Sequence, residues 1–483
     1  MAASTPTAQA LNSQLNHDEA VRAAIDRRDV AALRRLASRD NGFSASGLRS
    51  QAWLLLLGGT LPTSTNQSAT AGPRRRKPDT DKASSDDGAT PSEQPVTPHR
   101  DEGQVAMDVN RSFIYYPQNA TPARKQELQK DLNTVIVSTL RRHPALSYFQ
   151  GFHDIVSVIL LSLEDVEDTI ECVEHLSLYH IRDSMGFGMD PVIGYLRVLK
   201  RILDQASPAL SQVVNLASAL PYFSLSWVLC LMSHDITSLD VSARLFDFLF
   251  AHNPILVAYF GVAILLTKQG DLDEIDPDLA DDPAVLHTTL ARMPVLLLEP
   301  EEPLPMSPPP KDGNNDEGLY SDPDIDVPAL MPTPPLTPPL PSAKRKGILL
   351  QDILDSTLDL YARYPFDGPN VRAKEILGPC SAVYTWRVSG PPIPAEQAEE
   401  ILRRNADIVY PPPAEEQDKP APTRPLRQDL AWQRQTLMLA AVGLAGLLLA
   451  TYGAEPLLIN LQQGMFGRWM SWATKTLIGL RER

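Results

Sequence analysis

The sequence predicts an all-α protein, and three observations carry that prediction. Residues 104–298 place apolar side chains at helical spacing almost throughout. No alternating apolar and polar run bounded by hairpin turns interrupts that block. Proline, 44 residues of 483 against an ordinary usage of about 5%, is concentrated outside the periodic blocks. A hydrophobic content of 43% is enough to bury a sizeable core.

Short helical patterns occupy residues 18–39, and the strongly apolar stretch 47–59 follows. Between 62 and 100 the composition collapses to Ser, Thr, Pro, Asp and Lys, which reads as a disordered insertion. Order resumes near Gln104. Leu128, Leu132, Val135, Ile136, Thr139 and Leu140 form one helical stripe. Thr121 and Pro122 supply its N-cap and first helical position, and Pro144 lies just beyond its end.

Residues 300–341 are about one-third proline with acidic residues between, the composition of an extended, polyproline-like linker. A helix is predicted over 347–364, with Leu350, Ile353, Leu354, Thr357, Leu358 and Tyr361 on one face, and another over 394–408. The expected organisation is therefore a helical domain over 18–298 with the insertion 62–100, an acidic proline-rich linker over 299–346 and a helical extension over 347–410. A proline-rich spacer over 411–435, a membrane helix over 436–454 and an amphipathic tail over 455–483 complete it.

The membrane reading rests on length and polarity. Residues 436–454 carry no charge, and as a helix rising about 1.5 Å per residue they would span about 28 Å, close to a hydrocarbon core of about 30 Å. Trp432 and Arg434 flank the segment as interfacial residues do. The tail beyond it alternates Leu, Met and Trp with Arg and Lys, as surface-lying helices do. A second uncharged stretch, 248–267, can be read as buried core or as another span; His252, Asn253 and Pro254 within it favour core.

Charge and cysteine usage exclude several classes. The balance of 44 basic and 59 acidic residues leaves −15, which argues against nucleic-acid binding. Cys172, Cys230 and Cys380 are too few and too far apart for a disulfide framework, and they suggest a reducing compartment. The chain opens without an apolar signal segment. No P-loop pattern and no Gly-x-Ser-x-Gly occurs. Cys172, His175 and His180 lack a fourth zinc ligand, and the acidic run from Asp271 departs from the EF-hand pattern.

Three local patterns carry the functional reading. Arg49 precedes Trp53 by four residues on an apolar helix, which by itself is packing and capping. Asp108 precedes Arg111 by three, so a helix puts both on one face. Taken alone, that spacing usually means a surface ion pair. Tyr148-Phe149-Gln150-Gly151 follows the helix end at His143 and Pro144 and leads to Asp154. In an extended turn Tyr148 and Gln150 would share a face, and Gly151 would allow close backbone approach. Taken alone, Gln150 is an ordinary polar residue at a helix start.

In this order, the three patterns resemble the signature motifs of TBC-domain proteins, the GTPase-activating proteins of Rab small GTPases. The resemblance continues through Phe223 to Trp227 and through Arg244 and Asp247, and covers roughly residues 18–269. It implies that Arg111 is a catalytic arginine and Gln150 a catalytic glutamine, with Asp108, Tyr148, Gly151 and Asp154 supporting them. Arg49, Trp53, Trp227, Arg244 and Asp247 would then be structural. His99, Arg100, Asp101, Glu102 and Gln104, with His180 to Asp183 and Arg244 to Phe250, look most like a subgroup anchored in the endoplasmic reticulum. That subgroup acts on the Rab of ER-to-Golgi transport.

The resemblance thus implies an activator that supplies residues in trans and is not a stand-alone hydrolase. It would have no cofactor of its own, because GTP and Mg2+ arrive with the partner GTPase. The expected location is the endoplasmic reticulum membrane, single-pass, with the catalytic domain cytosolic, or the early Golgi. The rival reading is a catalytically weak, membrane-tethered Rab-binding scaffold. Ser307, Thr333 and Thr337, each before a proline, suit a proline-directed kinase, and residues 335–341 offer spacing for an SH3-type ligand groove.

Overall fold

In the computed structural model of the chain, the residues described are 8–39, 42–43, 47–59, 61, 97–300, 347–388, 390–404 and 407–412. They are overwhelmingly helical. α1 (Ala8–Asp26), α2 (Val30–Ala37) and α3 (Leu48–Leu56) come first. Asp29 caps α2 by accepting from the Ala32 amide, and α3 begins after Gly47. α4 (Glu102–Asn110) and α5 (Pro122–Arg142) then run against each other. Arg141 of α5 donates twice to the Glu102 carboxylate at 2.7 and 2.8 Å, pinning the start of α4. The Thr121 hydroxyl accepts from Arg124 N, and the predicted six-residue stripe on α5 is the face it buries.

α6 (Phe152–Leu163) and α7 (Val166–Tyr179) are separated by Glu164 in the left-handed conformation and an Asp165 cap. α8 (Asp190–Ala206), α9 (Pro208–Ala217) and α10 (Leu225–Leu229) follow. α11 (Leu239–Ala251) and α12 (Leu256–Leu266) resolve the ambiguity of 248–267: the uncharged stretch is two buried helices broken at Pro254. Neither is long enough to span a bilayer. α13 (Gln269–Asp273) and α14 (Pro283–Ala291) precede a minimal parallel ladder of β1 (Leu296–Leu297) and β2 (Ile348–Leu349).

Residues 347–410, expected as a separate extension, join the same buried core. α15 (Leu350–Arg363) lays Leu350, Ile353, Leu354 and Leu360 against α12, and the Tyr259 hydroxyl donates to Tyr364 O at 2.5 Å. α16 (Ala382–Thr385) is held by two fully buried residues. Arg182 donates to Cys380 O and Thr385 Oγ1, and Asp183 accepts from Ser381 Oγ and Ala382 N. α17 (Ala395–Arg404) is shorter than the predicted 394–408 and docks through Glu399 onto His143. The predicted start at 347 is likewise strand first and helix from Leu350.

Among the described residues no helix is long and apolar enough to cross a membrane. The span at 436–454 and the tail at 455–483 lie outside the described residues. So do most of the insertion, the linker carrying Ser307, Thr333 and Thr337, and most of the spacer. The insertion ends earlier than composition suggests: His99 is buried with its ring at 3.1 Å from Leu146 O, and Arg100 donates to Pro144 O and Leu146 O.

Candidate functional site

The site is built where the end of α4 meets the loop between α5 and α6. Asp108 lies in the last turn of α4 and is 1% exposed. A buried carboxylate must be hydrogen-bonded or neutralised. Here it accepts from Arg111 Nη2 at 2.6 Å, from the Tyr148 hydroxyl at 2.8 Å and from Gln104 Nε2 at 3.2 Å. The surface-ion-pair reading of Asp108 and Arg111 is therefore overturned. Arg111 closes α4, and its side chain remains 30% exposed while its carboxylate partner is enclosed.

Tyr148 and Gln150 do not share a face. Tyr148 is buried with its hydroxyl on Asp108, whereas Gln150 is exposed. The cause is a turn, not an extended strand: Phe152 N donates to Phe149 O, and Gly151 has φ 103°. Only glycine takes that conformation without strain, and a Cβ there would also run into Cys230 Sγ. The residues at 99–101 brace the turn, with Tyr148 N donating to Asp101 Oδ2 at 2.9 Å. Burial, then the Asp108 charge, pushes the Tyr148 phenol well above its usual range, so it stays a donor.

Asp154, in the first turn of α6, faces His153 Nε2 at 3.3 Å and His234 Nδ1 at 2.8 Å. His153 Nδ1 in turn lies 3.1 Å from the Tyr148 hydroxyl. Sequence reading missed His153, His234, Gln104 and Asp101 as members of this cluster. Gln104 carried a signal, since it stands four residues before Asp108 on one helix. His234 carried none, because it arrives from a loop 80 positions beyond Asp154.

The remaining motif residues gather elsewhere. Asp247 is fully buried and accepts from Arg49 Nε and Nη2, Trp53 Nε1 and Phe43 N. Arg244, one turn earlier, donates to Ala37 O and Arg39 O. This second cluster ties α2, α3 and α11 together. Trp227 is fully buried against Phe223, with its indole N–H unpaired among the described residues.

The partly exposed Arg111 is thus anchored by a buried carboxylate, and Gln150 is exposed at the turn that Gly151 permits. Residues 46–272 match the model of the Rab-GTPase-TBC domain. TBC1 domain family member 20 of Mus musculus is 31% identical over 266 residues, covering 55% of this chain and 59% of that protein. The Homo sapiens protein of that name is 31% identical over 269 residues, covering 56% and 60%. GTPase-activating protein gyp10 of Schizosaccharomyces pombe is 28% identical over 283 residues, covering 57% and 66%. The chain thus spans about three-fifths of the length of the first of these relatives.

Proposed function

We propose that this chain is a GTPase-activating protein for a Rab-family small GTPase, to which it supplies Arg111 and Gln150 in trans. The domain match and the fission-yeast relative's name support the reaction class. The observation that carries the residue assignment is the pairing of a partly exposed Arg111 with a buried, triply bonded Asp108.

GTP hydrolysis by small GTPases is slow because charge developing in the transition state is incompletely neutralised and the attacking water is poorly held. Arg111 places a planar guanidinium where that charge appears, its orientation set from below by Asp108. Gln150 orients the water. GTP and Mg2+ are carried by the GTPase. The substrate class we favour is a Rab of early secretory, ER-to-Golgi traffic. Residues 436–454 would hold the chain in the endoplasmic reticulum membrane with the site cytosolic, and the proline-rich linker would offer a kinase or SH3-type contact.

The test is single-turnover hydrolysis by a panel of GTP-loaded Rabs with saturating full chain. Acceleration of an ER-to-Golgi Rab that Gln150→Ala abolishes at saturation, with little change in half-saturating concentration, is the expected result. Binding without acceleration by any Rab would replace the activator with a tethered scaffold.

A further inference from the structure

An unbroken series of polar contacts runs from the surface to the residues that hold Arg111. The His234 side chain is 62% exposed, and its Nδ1 meets Asp154 Oδ2 at 2.8 Å. Asp154 Oδ1 lies 3.3 Å from His153 Nε2. His153 Nδ1 lies 3.1 Å from the Tyr148 hydroxyl, which donates to Asp108 Oδ2 at 2.8 Å. Asp108 Oδ1 receives Arg111.

Counting hydrogens gives this series a direction. An ionised carboxylate only accepts, so the single hydroxyl hydrogen of Tyr148 is committed to Asp108. The Tyr148 oxygen can then only accept from His153, which requires hydrogen on Nδ1. If His153 instead carries its hydrogen on Nε2, Asp154 is satisfied, but Nδ1 draws the Tyr148 hydrogen away from Asp108. The position of one ring hydrogen therefore decides whether Asp108 has three donors or two.

We propose that His153, Asp154 and His234 are positioning residues that set how firmly Asp108 holds Arg111, by fixing which ring nitrogen of His153 carries hydrogen. This rests on the reading of Arg111 as the residue delivered to the GTPase.

The charges around the series agree. Burial pushes His153 below its ordinary range, with Asp154 and Asp108 pulling the other way and Arg111 and His234 adding to the fall. The bond to Asp154 holds His234 above its ordinary value, helped by Asp235 and opposed by burial and Arg111. Tyr116, Tyr148 and Cys230, the other titratable neighbours, are all pushed up by burial and stay neutral.

Below its raised titration point, His234 is an imidazolium that offsets the Asp154 charge. As pH rises through that point the Asp154 charge is uncompensated and draws hydrogen to His153 Nε2. Tyr148 then turns to His153, and Asp108, with one donor fewer, grips Arg111 more strongly. Delivery of Arg111 becomes costlier.

Imidazole nitrogen resonances of the full chain, labelled on histidine, test this without any GTPase. Hydrogen should sit on His153 Nδ1 below the His234 titration and move toward Nε2 above it, and His234→Asn should abolish the movement. In single-turnover assays against the panel of GTP-loaded Rabs, corrected for each GTPase's own hydrolysis at that pH, the saturating rate should fall as pH rises. His234→Asn, a surface change, should flatten that profile. His153→Asn, which keeps a donor at the Nδ1 position, should stay within about threefold of wild type without changing half-saturation. Hydrogen on Nε2 at every pH, or superposable profiles for wild type and His234→Asn, overturns the relay. Expected resonances with no Rab stimulated overturn the activator reading on which the positioning role rests.

Discussion

The Arg111 guanidinium lies 2.6 Å from the Asp108 carboxylate, and the two differ sharply in environment: the arginine side chain is 30% exposed and the aspartate 1%. An exposed ion pair of this spacing would contribute little. Burial of one partner, with Tyr148 and Gln104 as further donors, makes Asp108 a fixed anchor from which a cation projects to the surface.

Arg111→Ala and Arg111→Lys should both abolish stimulation, because an arginine delivered in trans is worth about 10³ to 10⁵ in rate and a lysine lacks its planar fork. Helical circular dichroism should be unchanged, since Arg111 ends α4 without filling the core. A near-normal single-turnover rate for Arg111→Lys would remove the assignment.

Tyr148→Phe deletes a donor to a buried carboxylate and should cost about 1–3 kcal/mol in denaturant unfolding. It should also lower the saturating rate while Asp108→Asn, which keeps the shape, lowers it further. An unchanged rate with reduced stability would confine Tyr148 to folding.

A fragment ending at Arg292 should fail to fold, whereas one ending at Pro412 should be monodisperse. The shorter one uncovers the face of α12 that buries Leu350, Ile353, Leu354 and Leu360. At about 1.5–3 kcal/mol per buried large apolar side chain, that loss rivals a whole domain's stability of about 5–15 kcal/mol. Size-exclusion profiles of the two fragments decide it.

The docking of α17 should be strongest at mildly acidic pH, between the ordinary glutamate value of 4.5 and the ordinary histidine value of 6.5. His143 lies between Glu174 and Glu399 at 3.0 and 2.9 Å. Burial lowers its titration point, but the two carboxylates outweigh burial and leave it above the ordinary 6.5. Its contribution is complete below that ordinary value and is lost as pH rises through the raised one. Glu174, held at about 2 first by His143 and also by Arg142, contributes above its ordinary 4.5 and loses this as pH falls through about 2. Amide exchange of α17, corrected for intrinsic rates, should therefore accelerate at both extremes. His143→Gln should remove the alkaline limb, and a wild-type profile in that variant would contradict the latch.

Deleting residues 436–454 should move the chain from the membrane pellet to the supernatant. Glycosidase should leave the full chain's mobility unchanged, although Asn66, Asn110 and Asn119 all begin acceptor patterns. A shift removed by Asn66→Gln would place that segment in the lumen and contradict a cytosolic site.

The sequence by itself determined the helical class and the buried stripe of α5 with its cap, whereas the motif residues of the site stood out only through their resemblance to a known family. The class and the stripe are local properties: periodicity and capping are set by residues within a few positions of one another. Tertiary structure alone decided that Asp108 is enclosed, and that Tyr148 turns inward while Gln150 turns out at Gly151. It also decided that residues 347–410 complete the core. Asp247 shows why: its partner Arg49 stands 198 positions away, and no local pattern encodes which distant donor will fill a buried acceptor. The same holds for His234, whose exposed ring reaches Arg111 only through contacts that the folded chain assembles.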